Sequence, residues 1–219
     1  MSKLFSAFSL AALVMFTLSS CLRDDRYVPA PPQPQKYTYD DEFENNNNNW
    51  NFVDQANKAY GVVSNGTFKF DYNDDLSEAY YVSKNIGFNY YNDFTLYTRI
   101  GSNNNMGLLF GYRENSQTYG YSFTIDYNGR YALYDEGGNG YGPNVQTLVA
   151  ASNTTGAGRG NGDWNDLRLE QRGNRWIGYV NNVQVFNIDA QKLIGTNVGF
   201  VNVANTQGEA DYLQVDWYN

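Results

Sequence analysis

Asp71, Asn73 and Asp75 occupy alternate positions in the segment DYNDDLSE, a spacing that offers side-chain oxygens to a hard cation such as calcium. The segment departs from an EF-hand loop, because Leu76 stands where glycine is needed and Val82 where the bidentate acid belongs. Asn/Asp-rich turns also form with no ion bound. Glu209 and Asp211 alternate in a second acidic segment, GEADYLQVDWY, and carboxylates can attack and protonate a glycosidic bond when two stand roughly 5 Å apart across it. The 219 residues contain no histidine, which excludes histidine triads, imidazole zinc sites and any histidine general base. Carboxylates, tyrosines, lysines, arginines and hydroxyls therefore remain to carry chemistry.

The single cysteine, Cys21, is placed by what surrounds it. MSKLFSAFSLAALVMFTLSSC has a cation at Lys3, an apolar run from about Leu10 to Leu18, and small residues before the thiol, which is the layout of an export signal. The apolar run is shorter than the roughly 20 residues of a membrane-spanning helix. Leu18, Ser19, Ser20 and Cys21 resemble the lipobox of bacterial lipoproteins, which implies cleavage before Cys21 and acyl chains on its sulfur that anchor the chain to a membrane. An acylated Cys21 leaves no thiolate for catalysis, disulfides or metal sites. The Asp24 and Asp25 pair resembles the acidic export signal of surface-exposed lipoproteins, which implies an outer-membrane anchor with the domain exposed at the cell surface. A charged tether start is also an ordinary solvated segment.

YVPAPPQPQK, which ends at Lys36, holds four of the five prolines and favours an extended spacer. The expected organisation is a signal over 1–20, a lipid-anchored tether over 21–36 and one folded domain over 37–219. With 15 Lys and Arg against 23 Asp and Glu, the chain is acidic, which argues against nucleic acid as a partner.

In that domain the apolar residues recur with period two, punctuated by Gly, Asn and Asp. NDFTLYTRIG sets Phe94, Leu96, Thr98 and Ile100 on one face and Thr95, Tyr97 and Arg99 on the other. TYGYSFTIDYNGRYALYD does the same from Tyr119 to Ile125, and Asn128-Gly129 marks a tight hairpin. NIDAQKLIG is the one stretch that could form a short helical turn. The pattern predicts an all-β, two-sheet antiparallel sandwich or jelly roll.

DWNDLRLEQRGNRWIGYVNNVQVF, with a W-N-x-L-x-L strand followed by a hairpin at Asn181 and Asn182, resembles the concanavalin A-like lectin/glucanase and laminin-G-like sandwiches. Asn182 stands where those domains usually have glycine. MGLLFGYRENSQTYGYSFTIDYNGRYALY and GEADYLQVDWY look like the central and closing strands of the same superfamily. These motifs imply architecture more than activity. The superfamily's glucanases carry an E-x-D-x-x-E strand, and here Glu209 and Asp211 lack the third acid. Bacterial 3-keto-disaccharide hydrolase domains resemble the chain at the level of fold only.

The tyrosine content favours carbohydrate binding, since Tyr presents an apolar face and a polar tip. If apolar faces pack inward, Tyr97, Arg99, Arg113 and Tyr134 point outward from neighbouring strands, and the resemblance implies a concave glycan-binding face for them. Trp176 competes with Ile177 for the inner face and is a further candidate. Tyrosine is equally an ordinary strand residue. The expectation is an envelope lipoprotein presenting a non-catalytic carbohydrate-binding or adhesion sandwich. The alternatives are a carboxylate-based glycoside hydrolase and a structural lipoprotein docked to an envelope protein.

Overall fold

The computed structural model describes residues 33–56, 58–74, 79–113, 119–137 and 145–219. Cys21, the signal and most of the tether lie outside the described residues, as does Asp75. Pro34–Asn219 forms one compact unit.

Every regular element among the described residues is a strand: β1 (Lys36–Asp41), β2 (Phe52–Val53), β3 (Ala59–Ser64), β4 (Thr67–Tyr72), β5 (Ala79–Asn85), β6 (Phe94–Ser102), β7 (Asn105–Arg113), β8 (Tyr119–Asp126), β9 (Arg130–Asp135), β10 (Gln146–Asn153), β11 (Asn165–Arg172), β12 (Arg175–Val180), β13 (Val183–Asp189), β14 (Asn197–Val203) and β15 (Thr206–Tyr218). They build a nine-stranded sheet in the order β13-β12-β11-β6-β15-β4-β3-β2, with β1 also on β15, and a six-stranded sheet in the order β10-β9-β8-β7-β14-β5. All pairings are antiparallel, and the molecule is the expected all-β, two-sheet jelly-roll sandwich. NIDAQKLIG finishes β13 and continues as irregular chain rather than helix: its first three residues, Asn187, Ile188 and Asp189, are held extended by pairing with Ile177, Trp176 and Arg175 on β12.

Side-chain alternation produces the two layers. Phe68, Phe70, Phe94, Leu96, Leu167, Leu169, Leu213 and Val215 from the larger sheet meet Met106, Leu108, Phe110, Tyr121, Phe123 and Phe200 from the smaller. Fully burying such a side chain contributes about 1.5–3 kcal/mol relative to leaving it in water. Asn residues make the hairpins. Asn181 and Asn182 take φ of 47° and 64°, so the Asn at the position where the resemblance leads one to look for glycine still supplies the left-handed backbone that a tight turn requires.

One pairing pattern decides where outward side chains end up. The chain leaves β6, turns at Asn103 and Asn104, and returns as β7, yet the two strands belong to different sheets. β6 pairs instead with β11 and β15, which come much later in the chain.

Candidate functional site

The face of the nine-stranded sheet turned away from the core is a grid in register. Tyr179 stands opposite Arg168, Arg168 opposite Tyr97, Tyr97 opposite Gln214, and Gln214 opposite Asp40, forming one ladder across β12, β11, β6, β15 and β1. The Arg168 guanidinium lies over the Tyr179 ring at 3.8 Å. Neighbouring cross-strand residues sit close enough to act on one ligand together. Aromatic rings alternate in this ladder with planar groups that donate and accept hydrogen bonds.

A second row lies alongside. Asp166 and Tyr212 flank Arg99, and the guanidinium reaches Asp166 Oδ1 at 3.8 Å and Asp211 Oδ2 at 3.7 Å. Burial, followed by the negative charge of Asp166, pushes the Tyr212 phenol above its ordinary value. Arg99 also approaches the Trp164 ring, 5.8 Å from its centroid. Trp164 is carried by a loop that the sequence fits closely to β6: a Cβ at Gly101 would lie 2.9 Å from the Gly162 carbonyl oxygen, so glycine permits the approach. Asn165 secures the loop by accepting from Gly158 N at 2.8 Å and from Asn181 Nδ2 at 2.9 Å.

Beyond Trp164 the face deepens into a groove of about 430 Å³, walled by Trp164 on one side and Tyr60 on the other. Its floor carries Gln207, Glu209, Lys69 and Asp71. Lys69 Nζ pairs with Glu209 Oε1 at 3.5 Å, and the Tyr60 hydroxyl donates to Asp71. Aromatic walls with a few convergent polar groups are the usual make-up of a small-ligand site, and the volume lies within the usual range.

The sequence-derived candidates separate on this framework. Tyr97 and Arg99 lie on the face just described. Arg113 and Tyr134 do not join them: they stand on β7 and β9 of the six-stranded sheet. Tyr97, Arg99 and Tyr134 point outward, whereas Arg113, past the irregularity in β7, turns to the end of the sandwich, and the assumption that β6 and β7 are neighbours fails at the sheet crossover. Trp176 is fully buried, with its ring 4.8 Å from Tyr121 and 5.2 Å from Phe110, and its indole N–H donates to Gln171 Oε1 at 2.9 Å. It is a core side chain and is withdrawn as a ligand platform. Asp71 is engaged by Tyr60, and the Asn73 backbone N–H donates to the Lys58 carbonyl at 2.7 Å. Asp75 lies outside the described residues, and no group of three or more metal-ligating acids, cysteines or histidines is present among them. Of the acids weighed for hydrolysis, Glu209 is paired with Lys69 and Asp211 sits at a bulge in β15 paired with Arg99.

The outward face of the six-stranded sheet is different in kind. Leu109, Ser122, Thr124 and Val201 on it are almost fully buried. At its edge is a residue that the sequence reading passed over, Glu136, whose carboxyl accepts from Ser122 Oγ at 2.6 Å and from the Tyr81 hydroxyl at 2.8 Å. Burial raises the Glu136 carboxyl above its ordinary value, against the two hydrogen bonds, which pull it down. The sequence signal was faint, since YDEGG reads as a turn rather than a sheltered acid.

No protein-family model matches the chain, and no curated protein matches it. Among solved structures, the chain is similar to one described with the endo-acting O-glycanases that prominent members of the human gut microbiota express to initiate mucin breakdown (TM-score 0.54, 12% identity, 81% of this chain and 97% of that one). It is also similar to the CBM2 module of an evolved Dit of Lactobacillus casei BL23 phage J-1 (TM-score 0.50, 8% identity, 86% of this chain and 98% of that one). At these identities the likeness is one of fold, and it places the chain among the two-sheet jelly-roll sandwiches.

Proposed function

We propose that this chain is a carbohydrate-binding sandwich held at the bacterial outer membrane by acyl chains on Cys21, with the nine-stranded sheet as its binding face. The observation that carries the reading is the ladder Tyr179, Arg168, Tyr97, Gln214 and Asp40, in which rings and planar polar groups alternate on one accessible surface. Sugars present apolar C–H faces and a rim of hydroxyls, which such a surface meets with ring contact and paired hydrogen bonds. Binding is favoured over hydrolysis, since the β15 segment lacks the third acid of the glucanase pattern and Glu209 and Asp211 each face a cation. The lipid anchor rests on the lipobox-like segment ending at Cys21 and the proline-rich spacer after it.

A glycan array probed with the compact unit from Pro34 to Asn219, in calcium and in chelator, tests the binding face. Saturable binding that Tyr97→Ala weakens supports it, and a blank array for a folded protein overturns it. Radiolabelled palmitate incorporated into the wild-type chain and absent from Cys21→Ala tests the anchor separately.

A further inference from the structure

A second pocket lies at one end of the sandwich, away from the ladder. It encloses about 600 Å³ between the loop before β6, the β11–β12 turn and the chain leading into β14. Its most prominent group is Tyr91, which is 82% exposed, the highest value among the large hydrophobic side chains of the described residues.

An exposed ring on a loose loop would mean little, but this loop is braced. The buried Gln171 side chain donates to the backbone carbonyls of Tyr90 at 3.1 Å and Asn92 at 2.9 Å while accepting from Trp176. The Tyr91 N–H donates to Asn89 Oδ1 at 3.1 Å, and Asp93 Oδ1 accepts from the Gly173 N–H at 2.7 Å. Tyr90 lies beside Tyr91 with ring centroids 4.6 Å apart. The opposite wall is fixed too: Tyr121 donates to the Lys192 carbonyl at 3.1 Å, and Leu193 fills the space above Gly111, where a Cβ would lie 2.5 Å from it. The structure thus holds an aromatic platform in water with its backbone anchored on both sides, which is the pre-organisation a binding site needs.

The Asp93 carboxylate on the Gly173 N–H stands just outside the lining. Among the described residues the charged side chains lining the pocket are Arg113 and Lys192, in a chain where acids outnumber cations 23 to 15. Arg113 is held over the Tyr119 ring at 5.2 Å. Two cations among the described lining residues of an acidic protein favour a negatively charged group, and the ring favours a flat apolar face beside it.

We propose that this pocket binds an acidic saccharide, with the sugar ring against Tyr91 and its carboxylate or sulfate between Arg113 and Lys192. The site is separate from the ladder, so either can fail without the other.

The test is calorimetric titration of the detergent-purified full-length chain with trigalacturonate, with its methyl ester, and with N-acetylglucosamine 6-sulfate. Binding of one or both anions, at least about tenfold weaker for the ester and weakening with added salt, is the expected result. The two anions distinguish carboxylate from sulfate as the source of the charge. Tyr91→Ala and Lys192→Ala alter exposed side chains, so both variants should keep the wild-type unfolding midpoint while losing about tenfold or more in affinity. Tyr97→Ala should leave this binding unchanged. Three outcomes overturn the proposal: no heat with either anion up to ~10 mM, equal affinity for acid and ester, or wild-type affinity in both variants.

Discussion

The guanidinium of Arg168 rests 3.8 Å from the centre of the Tyr179 ring on the adjacent strand, while its Nε faces Glu170 Oε1 at 3.3 Å. That contact does not meet hydrogen-bond geometry, and the buried Nε has no hydrogen-bond partner. The guanidinium is therefore oriented by the ring more than by the carboxylate, and a cation–π contact at a partly exposed site is worth about 0.5–1 kcal/mol.

Arg168→Lys keeps the charge but loses the planar fork that stacks and donates in parallel. The expected outcome is a loss of about tenfold in affinity for whatever glycan the array identifies, with the unfolding midpoint little changed. Tyr179→Ala should lose a similar factor. Titration calorimetry checks both, and wild-type affinity in the pair would remove the ladder as the binding face.

Trp176 makes the opposite prediction. Its ring fills the core beside Phe110 and Tyr121, so Trp176→Ala leaves a large cavity and strips Gln171 Oε1 of its donor. A loss of about 3–5 kcal/mol in unfolding free energy is expected from the cavity alone. Trp176→Phe should cost less but more than zero, because the amide oxygen remains orphaned. Urea unfolding measures both. A Trp176→Ala protein as stable as the wild type would mean that the ring is not in the core.

Two carboxyls give pH effects of opposite sign. Glu136 has a folded pKa raised above the ordinary 4.5 by burial, so the fold prefers its protonated form and loses stability as pH rises above that value. Glu136→Gln should therefore gain on the wild type above about pH 4.5, since its side chain can still meet the Ser122 and Tyr81 hydroxyls. Burial pushes the Asp216 carboxyl up, but hydrogen bonds from Thr38, Lys36 and Gln214 outweigh it and leave the group below its ordinary 3.8. Its contribution is present above that value and is lost as pH falls through it. Asp216→Asn should be less stable than the wild type at pH 7, with the deficit shrinking below about pH 3.8. Urea midpoints at pH 3, 5 and 7 separate the two, and parallel profiles for both variants would contradict the assignment.

The sandwich was legible because strand alternation is a local property. Phe94, Leu96 and Ile100 name their own inner face whatever strand lies beside them. Gly129 and Asn181-Asn182 likewise mark turns by taking the left-handed backbone their types favour. Which strands become neighbours is not local. The short connection from β6 to β7 has the length of a hairpin, yet it crosses between sheets, and this alone separates Tyr97 and Arg99 from Arg113 and Tyr134. Trp176 and Ile177 could not be ranked by periodicity, because both faces of β12 carry large residues. The choice is settled by register, since Trp176 pairs with Gln171, whose amide satisfies the buried indole N–H. Glu136 and the braced Tyr91 depend on partners dozens of residues away, so no spacing in the sequence announced them.

Asp41 offers a last test, at the corner where β1 enters the core. Its buried carboxylate accepts from the Trp50 indole at 2.7 Å, from Asn48 Nδ2 at 2.7 Å, from the Phe43 backbone N–H at 3.0 Å and from the Tyr39 hydroxyl at 3.3 Å. Trp50 is in turn fully buried against Phe43, Phe68 and Phe200, so the acid fixes the ring on which that half of the core is built. Asp41→Asn keeps the size but replaces one acceptor oxygen with a donor. The amide oxygen can serve either the Phe43 N–H or the group around the Trp50 indole, and the new N–H₂ then faces donors on the other side. Leaving a buried donor unsatisfied costs about 1–3 kcal/mol, more where the lost partner was charged. Asp41→Asn should accordingly lose about 2–3 kcal/mol in urea unfolding at pH 7, with a blue-shifted or broadened tryptophan emission reporting the displaced indole. A loss below about 0.5 kcal/mol would show that Trp50 is held by packing alone and that the carboxylate is incidental to it.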